Sequence, residues 1–469
     1  MLGHGMTYSG SARYPIEDGF DDVAEWVYAG SDEVGFDVKA FATGSLAEPV
    51  NHGDIHRQLC FVYRDNLVHF FWFIRWLARE GIDPAAYLVG KGRLLPTYHS
   101  SGLYATLYIS GCASWSDADR LATSAACKKI LYDVEREHVK QDIAELRALV
   151  PEEADPVTRE AVRILVRTAR KLYRHIPRAA GAIERVFEQT SGDVSIEDRE
   201  MLGQVLKGRL ACLSGFGPRP YGREDVEGLL GYCRERGIHV ELSVINGPDL
   251  HVIGGSALNI ARAEIIAKKG LAGRVPFLVS KVLIDSAPHT SRHREVVRRY
   301  EAVVDRFLAE GRLREPAIPF VSRHGRLVTT AEDVRHEVLH LLDEVYDFQE
   351  MCRTGIRHGM QWVVMGLSGE QSAGRRVVRA NLMDAAMSNG AGGFLFASTD
   401  VEAARSRRER EALMVALSRD ARVLGLAAMG SGVFLRSLEG LRAAWESAIE
   451  SCRTRCELEQ EPSHLVRVS

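Results

Sequence analysis

Apolar and polar positions repeat with different periods in successive parts of this chain. Up to about residue 130, helical and strand-like patterns alternate: we predict a helix at 53–80, a Gly-Ile-Asp-Pro break at 81–84 and a strand at 86–89. Such alternation favours a parallel sheet covered by helices. We therefore predict an α/β fold in which residues 1–130 form the first part of a large subdomain.

The pattern then changes twice. Residues 131–208 show long, charged, helical periodicity, which predicts a helical insertion. Residues 209–285 predict the order strand, helix, strand, strand, helix, strand, typical of a ferredoxin-like small subdomain. The strands are expected at 210–213, 239–244, 250–253 and 276–284, and the helices at 223–236 and 256–269.

Helical and strand-like patterns alternate again in the last region, residues 286–469. Here we predict a helix at 292–310, a strand at 318–322, a helix at 330–344 and a strand at 361–365. This region is expected to complete the large subdomain and to end in helices whose placement the pattern does not define.

Composition narrows the function classes. The 469 residues are 46% hydrophobic and 26% charged, which is ordinary for a globular protein. The net charge of −3 gives the whole chain no electrostatic attraction to nucleic acid or to an anionic membrane. The most apolar segment, 67–77, is too short to span a bilayer and contains His69 and Arg75. Eight cysteines without a CxxC pair, and an N-terminus without a signal-peptide pattern, predict a cytoplasmic protein with free thiols.

The stretch Tyr98-His99-Ser100-Ser101-Gly102 suggests a nucleophilic serine on a sharp turn. A following helix would aim backbone N–H groups and its positive dipole end at a forming oxyanion. The apolar run 103–109 fits either a helix or a strand, and an ordinary loop serine is the alternative.

The order of the regions, together with several motifs, resembles the malonyl-CoA:acyl-carrier-protein transacylases and the acyltransferase domains of polyketide synthases. The resemblance covers roughly 1–130 and 209–370. The motifs are Leu2-Gly3-His4-Gly5, Arg57-Gln58-Leu59-Cys60-Phe61, Ile245-Asn246-Gly247-Pro248, Val252-Ile253-Gly254-Gly255 and Ser286-Ala287-Pro288-His289-Thr290-Ser291. It implies an α/β-hydrolase-like large subdomain carrying the ferredoxin-like and helical insertions.

The resemblance also implies the candidate catalytic residues. Counting back from Ile109-Ser110-Gly111 places the family's nucleophile on Ser100, whereas counting forward from Asp83-Pro84 places it on Gly92, which would give an inactive protein. We prefer Ser100, with His289 as the general base. A solvent-facing loop histidine is the alternative for His289.

Further site residues follow from the same resemblance. Ser101 and the His4-Gly5 loop are expected to donate N–H groups to the oxyanion, and Asn246 to line the entrance. The alternatives are an ordinary residue of a Gly-rich turn for His4 and a simple Asn-Gly-Pro turn between two strands for Asn246. Two positions depart from the family. Ala125 stands where malonyl-selective members carry an arginine, and Asp347 where they carry a glutamine, so we expect an acyl group without a carboxylate.

The functional hypothesis is a discrete acyltransferase of polyketide or related secondary metabolism. It would use acyl-CoA or a phosphopantetheinyl carrier thioester as substrate, with no permanently bound cofactor or metal. An acidic acyl carrier protein would fit basic residues of the helical insertion, although a solvated helix face is the account that the pattern favours. These residues are Arg159, Arg163, Arg167, Arg170, Lys171 and Arg174. An acyl-thioester hydrolase with the same site and a non-catalytic carrier-binding scaffold are the alternatives.

Overall fold

The computed structural model shows a mixed α/β protein, as predicted. It describes residues 83–89, 94–134, 136–149, 154–172, 178–188, 195–205, 208–214, 222–269, 277–281, 286–358 and 438–460. The expected helix at 53–80 and strand at 361–365 lie outside the described residues. Among the described residues, no helix has the length and apolar character needed to cross a membrane.

Five strands form the main sheet, in the spatial order β4-β1-β3-β2-β7. The strands are β1 Arg209–Ser214, β2 Val240–Gly247, β3 Leu250–Gly255, β4 Leu278–Lys281 and β7 Tyr346–Asp347. The first four are antiparallel to their neighbours, and β7 joins β2 in parallel. β5 Phe320–Val321 and β6 Leu327–Val328 form a separate antiparallel pair.

Helices α8 Arg223–Arg234 and α9 Ala257–Lys269 connect the first four strands in a βαββαβ order. Together with the strand order 4-1-3-2, this is the connectivity of a ferredoxin-like module. Apolar residues of both helices, among them Leu229 and Ile260, are buried with Ile253 of the sheet. Burial of this shared apolar surface holds the module together.

The helical block between 136 and 205 packs against the outer side of α9. Its helices are α4 Arg136–Arg147, α5 Pro156–Leu172, α6 Arg178–Glu188 and α7 Ile196–Val205. Leu165 of α5 and Ile183 of α6 share a buried cluster with Leu258 and Ile265 of α9. A mostly buried ion pair also joins α4 to the turn at Ser291–His293, since Arg292 Nη2 lies 2.8 Å from Asp142 Oδ2.

The largest core surrounds a short buried helix, α2 Leu103–Ile109. The helices around it are α1 Pro84–Leu88, α3 Trp115–Val134, α10 Arg294–Ala309, α11 Ala331–Leu339, α12 Phe348–Arg357 and α13 Leu438–Gln460. Residues 103–109 form a helix, so the helical alternative is correct, and every side chain of α2 is buried. The C-terminal helix α13, unplaced by the sequence pattern, inserts Trp445 and Ile449 into this core.

The predicted strand at 86–89 is wrong. Asp83 accepts hydrogen bonds from the backbone N–H groups of Ala85 and Ala86 at 3.0 and 3.1 Å, and Pro84 stands at the first helical position. An aspartate cap followed by proline is a helix start, and it overrides the β-like run Tyr87-Leu88-Val89. The helix predicted at 330–344 is shorter than expected and ends at Leu339.

Candidate active site

Ser100 lies on a tight turn at the start of α2. A short 3-10 helix, Ser100–Gly102, leads directly into α2, and Gly102 N donates to the carbonyl oxygen of His99 at 3.1 Å. Ser100 has a positive φ of 52° and is partly exposed. The turn therefore presents the hydroxyl at the surface of an otherwise buried segment.

His289 lies on a loop that the ferredoxin-like module holds from one side. Ser243 of β2 donates to the carbonyl oxygen of Pro288 at 2.8 Å, and Thr290 Oγ1 donates to that of Ala287 at 2.6 Å. A Cβ built on Gly254 would lie 2.8 Å from Thr290 Cγ2, so this glycine allows the loop to approach β3 closely. On the other side, His289 N donates to the Leu342 carbonyl oxygen at 2.5 Å.

These two residues meet across the core. Ser100 Oγ lies 2.9 Å from His289 Nε2, the distance of a serine–base hydrogen bond. His289 has a φ of 62°, and it and Ser100 are the non-glycine residues with positive φ in the described part of the chain. This conformation is uncommon for residues with a Cβ and tends to occur at functional sites. Both halves of the pair are therefore held in costly backbone conformations.

Burial controls the protonation of His289. Removal from water is the largest cause, and together with the nearby His99, Arg323 and His293 it lowers the pKa of the imidazole to about 3, while the backbone of Leu341 opposes the shift. The ring is therefore neutral near pH 7. For Nε2 to accept the proton of Ser100, Nδ1 must carry the ring's own proton.

A second buried histidine supports the turn. His99 Nε2 lies 2.9 Å from Asn246 Oδ1, and burial lowers the pKa of His99 to about 4. The Tyr346 ring packs against both imidazoles, with ring centroids 5.0 Å from His99 and 5.6 Å from His289. Asn246 is thus buried against His99, whereas we expected it to line an open entrance.

Beneath the turn lies a polar network that sequence reasoning missed. The Tyr346 hydroxyl donates to the Tyr98 carbonyl oxygen, and the Tyr98 hydroxyl donates to Glu337. Glu337 also accepts from Arg323 N at 3.1 Å. Tyr98 thereby ties the turn that carries Ser100 to α11.

The remaining predicted site residues have other surroundings. Ala125 is buried in the core around α2. Asp347 Oδ1 accepts from Glu350 N at 2.9 Å at the start of α12, so its carboxylate caps a helix. Ser101 follows Ser100 in the first turn. His4, Gly5 and Gly92 lie outside the described residues.

Solved structures of transacylases share this fold. The malonyl CoA-acyl carrier protein transacylase of Clostridium perfringens superposes with a TM-score of 0.52 at 14% identity, covering 90% of this chain and 97% of that one. FabD of Acinetobacter baumannii gives 0.53 at 14% identity over 89% and 97%. MCAT of Streptococcus pneumoniae gives 0.50 at 14% identity over 84% and 94%.

Sequence comparison adds no closer relationship. No protein-family model matches the chain, and no curated protein matches it. At these identities the structural likeness establishes the fold alone. The interpretation of the site therefore depends on the geometry around Ser100.

Proposed function

We propose that this chain is an acyltransferase in which Ser100 is the nucleophile and His289 the general base. Ser100 Oγ attacks the carbonyl carbon of a thioester while His289 Nε2 takes its proton. The C–S bond then breaks, and His289 returns that proton to the leaving thiolate. In the second half-reaction an acceptor thiol or hydroxyl, deprotonated by His289, attacks the Ser100 ester and restores the serine. The observation that carries this proposal is the 2.9 Å contact between two residues with positive φ.

The tetrahedral intermediate of each half-reaction would be stabilised by backbone groups of the 3-10 helix at the start of α2. The Ser101 backbone N–H is expected to donate to the oxyanion, helped by the positive end of the helix dipole. His4 or Gly5 would supply the second donor. His99 and Asn246 act as positioning residues for the turn.

The expected acyl group carries no carboxylate. The structural neighbour from Clostridium perfringens is described as a malonyl transacylase. The sequence resemblance places Ala125, which packs among apolar side chains, where malonyl-selective members carry an arginine. A carboxylate buried there without a partner would lose several kcal/mol of solvation free energy. Alanine has no charged group or hydrogen-bond donor in its side chain that could compensate for this loss. We therefore favour an uncarboxylated acyl donor.

The proposed donor and acceptor are acyl-CoA and acyl carrier protein, as in polyketide or related secondary metabolism in the cytoplasm. On α5, Arg159, Arg163, Arg167 and Arg170 are all exposed, and an acidic carrier would find complementary charge there. Arg163 and Arg170 also pair at the surface with Glu160 and Glu184. The side chain of Lys171 and all of Arg174 lie outside the described residues. The arrangement of an α/β-hydrolase-like large subdomain around the ferredoxin-like module belongs to the same proposal.

Intact-mass spectrometry after exposure to a panel of acyl-CoA and acyl-carrier thioesters tests this function. We expect an acyl adduct on wild type, mapped by peptide analysis to Ser100, and none on Ser100→Ala. Ser447→Ala is the matched control, because Ser447 is an exposed serine of α13 far along the chain from the site. The adduct mass also shows whether the acyl group carries a carboxylate.

Two other outcomes would overturn the proposal in different directions. Free acid without an adduct, abolished in Ser100→Ala, would assign a thioester hydrolase that uses the same serine and histidine. Carrier binding without turnover of any thioester, unchanged in Ser100→Ala, would assign a non-catalytic scaffold.

A further inference from the structure

A second group of histidines lies where α11 ends. His336 is in the last turn of α11, and His340 and Glu344 follow at intervals of four residues. One ligand atom from each of these residues lies within 4.8 Å of the other two, and all three side chains are half-buried. None of them belongs to the proposed catalytic pair.

The spacing suits a small metal ion. His336 Nε2 and His340 Nδ1 each lie 3.7 Å from Glu344 Oε1. In a tetrahedral zinc site, metal–ligand distances of about 2.0–2.2 Å separate neighbouring ligand atoms by about 3.4 Å. Shifts of a few tenths of an ångström at rotatable side chains would bring each imidazole nitrogen to that separation from Glu344 Oε1, and the ligand atoms of the two histidines lie within 4.8 Å of each other.

The chemistry of the three residues selects the class of ion. Two imidazoles and one carboxylate suit zinc and its first-row neighbours, whereas magnesium and calcium prefer all-oxygen sites. We propose that His336, His340 and Glu344 bind one divalent transition-metal ion of the zinc class. The fourth position would be held by water, or by His324, whose Nε2 lies 3.0 Å from Glu344 Oε2.

Binding of the ion would break some of the contacts that the two histidines now make with neighbouring residues. Asp343 Oδ1 lies 3.0 Å from His340 Nδ1, so this contact gives way when Nδ1 ligates the ion. Arg323 Nη2 lies 3.2 Å from His336 Nδ1 and 2.7 Å from the His336 carbonyl oxygen. Ligation through Nε2 places the proton on Nδ1, so Arg323 would keep its bond to the carbonyl and lose the one to the ring.

The site has a structural consequence for the catalytic loop. Leu341 and Leu342 lie between His340 and Glu344, and the Leu342 carbonyl accepts from His289 N. An ion that joins His340 to Glu344 would restrain both ends of this short segment. Because the ion binds the folded chain and finds no preformed site in the unfolded one, it should raise thermal stability.

The test uses the full chain, stripped of metal and then titrated with Zn²⁺ by calorimetry and by thermal unfolding. We expect one ion per chain and a rise in the unfolding midpoint. His340→Ala and Glu344→Gln should each weaken the affinity at least tenfold. His239→Ala, an exposed histidine before β2, is the matched control and should bind as wild type does.

Cobalt substitution separates this site from binding by cysteine. Co²⁺ held by nitrogen and oxygen lacks the intense sulfur-to-metal charge-transfer absorption of a thiolate site. Wild-type affinity in both His340→Ala and Glu344→Gln, or a thiolate spectrum in wild type, would overturn the proposal. Both variants are to be checked for an unfolding transition without metal, and neither readout depends on acyl transfer.

Discussion

Two histidine clusters lie on either side of Leu341 and Leu342, and they differ in what surrounds them. His99 and His289 are 5% and 2% exposed, contact Tyr346, and have no carboxylate partner in their hydrogen bonds within the part of the chain that the structure describes. His336 and His340 are half-buried and face Glu344, and His340 also faces Asp343. His340 therefore lies against two carboxylates, whereas His336 lies between the Glu344 carboxylate and the Arg323 guanidinium.

The difference shows how the surroundings of a histidine determine its protonation state and therefore what its ring can bind. Burial without a counter-charge favours a neutral ring, which can accept a proton from a serine. At the half-exposed cluster the hydrogen bond to Asp343 raises the pKa of His340, whereas burial and the Arg323 guanidinium lower the pKa of His336. Arg323 and Glu337 lie between the two clusters, and Glu337 reaches the nucleophile turn through Tyr98.

The largest effect is expected from removing the buried base. His289→Ala should lower the rate of Ser100 acylation by about 10³-fold, since general-base catalysis contributes about 10²–10⁴-fold. The rate is measured by quenched-flow mass spectrometry of the acyl adduct. His239→Ala serves as the control and should acylate at the wild-type rate. Equal rates in His289→Ala and wild type would remove His289 from the mechanism.

The buried charge between the clusters gives the next effect. Glu337→Gln should destabilise the fold by about 2 kcal/mol, because it removes the buried carboxylate 3.7 Å from the fully buried Arg323 and leaves the half-buried Glu344, 3.6 Å from Arg323 Nε, as the remaining anion there among the described residues. Urea unfolding followed by tryptophan fluorescence measures the change. Glu301→Gln, whose carboxylate pairs with Arg335 at the surface, should cost less than about 1 kcal/mol. Similar losses in both variants would contradict the importance of burial.

The pH dependence of acylation separates the buried environment from an ordinary one. The base acts when neutral, so its rate is lost as the pH falls through its own pKa. With the pKa of His289 lowered to about 3 by burial, the rate should change by less than about threefold between pH 7 and pH 5. An ordinary histidine of pKa about 6.5 would lose roughly 25-fold over that interval. A midpoint near pH 6.5 in kcat/KM would show that the site is more hydrated than the structure indicates.

The smallest effect is expected at the half-exposed cluster. Without metal, His340→Ala should change the free energy of unfolding by less than about 1 kcal/mol, because partly solvated ion pairs contribute little. Chemical denaturation of the metal-free proteins measures it. A loss of several kcal/mol would mean that the Asp343 and Glu344 contacts already hold the segment without an ion.

Periodicity and short motifs predicted those parts of the fold and the site that are determined by residues close together in the sequence. The strands and helices of the ferredoxin-like module have clear periodicity, and the motifs around Ser100 and His289 placed both residues of the pair. The strand predicted at 86–89 failed because Asp83 and Pro84 start a helix before the apolar run begins. Asp347 was selected by alignment alone, which gives no sign that its carboxylate caps α12.

The supporting network could not be predicted, because its contacts join distant parts of the chain. Tyr98 and Glu337 are 239 positions apart, and Tyr346 lies 248 positions after Tyr98. No spacing rule connects residues at such separations. The half-exposed cluster is different, since the four-residue intervals from His336 to Glu344 are a local helical signal that was overlooked.

The parallel pairing of β2 with β7 limits how this protein can be engineered. Val244 lies opposite Tyr346 and Ile245 opposite Asp347, so the strand that carries Asn246 runs beside the strand that supplies Tyr346. A chimera that replaces residues 209–281 with a module from another protein would separate these two supports of His99 unless it reproduced the β2 edge and its register. The ferredoxin-like module is therefore a poor unit for recombination, and crossover points would have to retain β2 and β7 from the same parent.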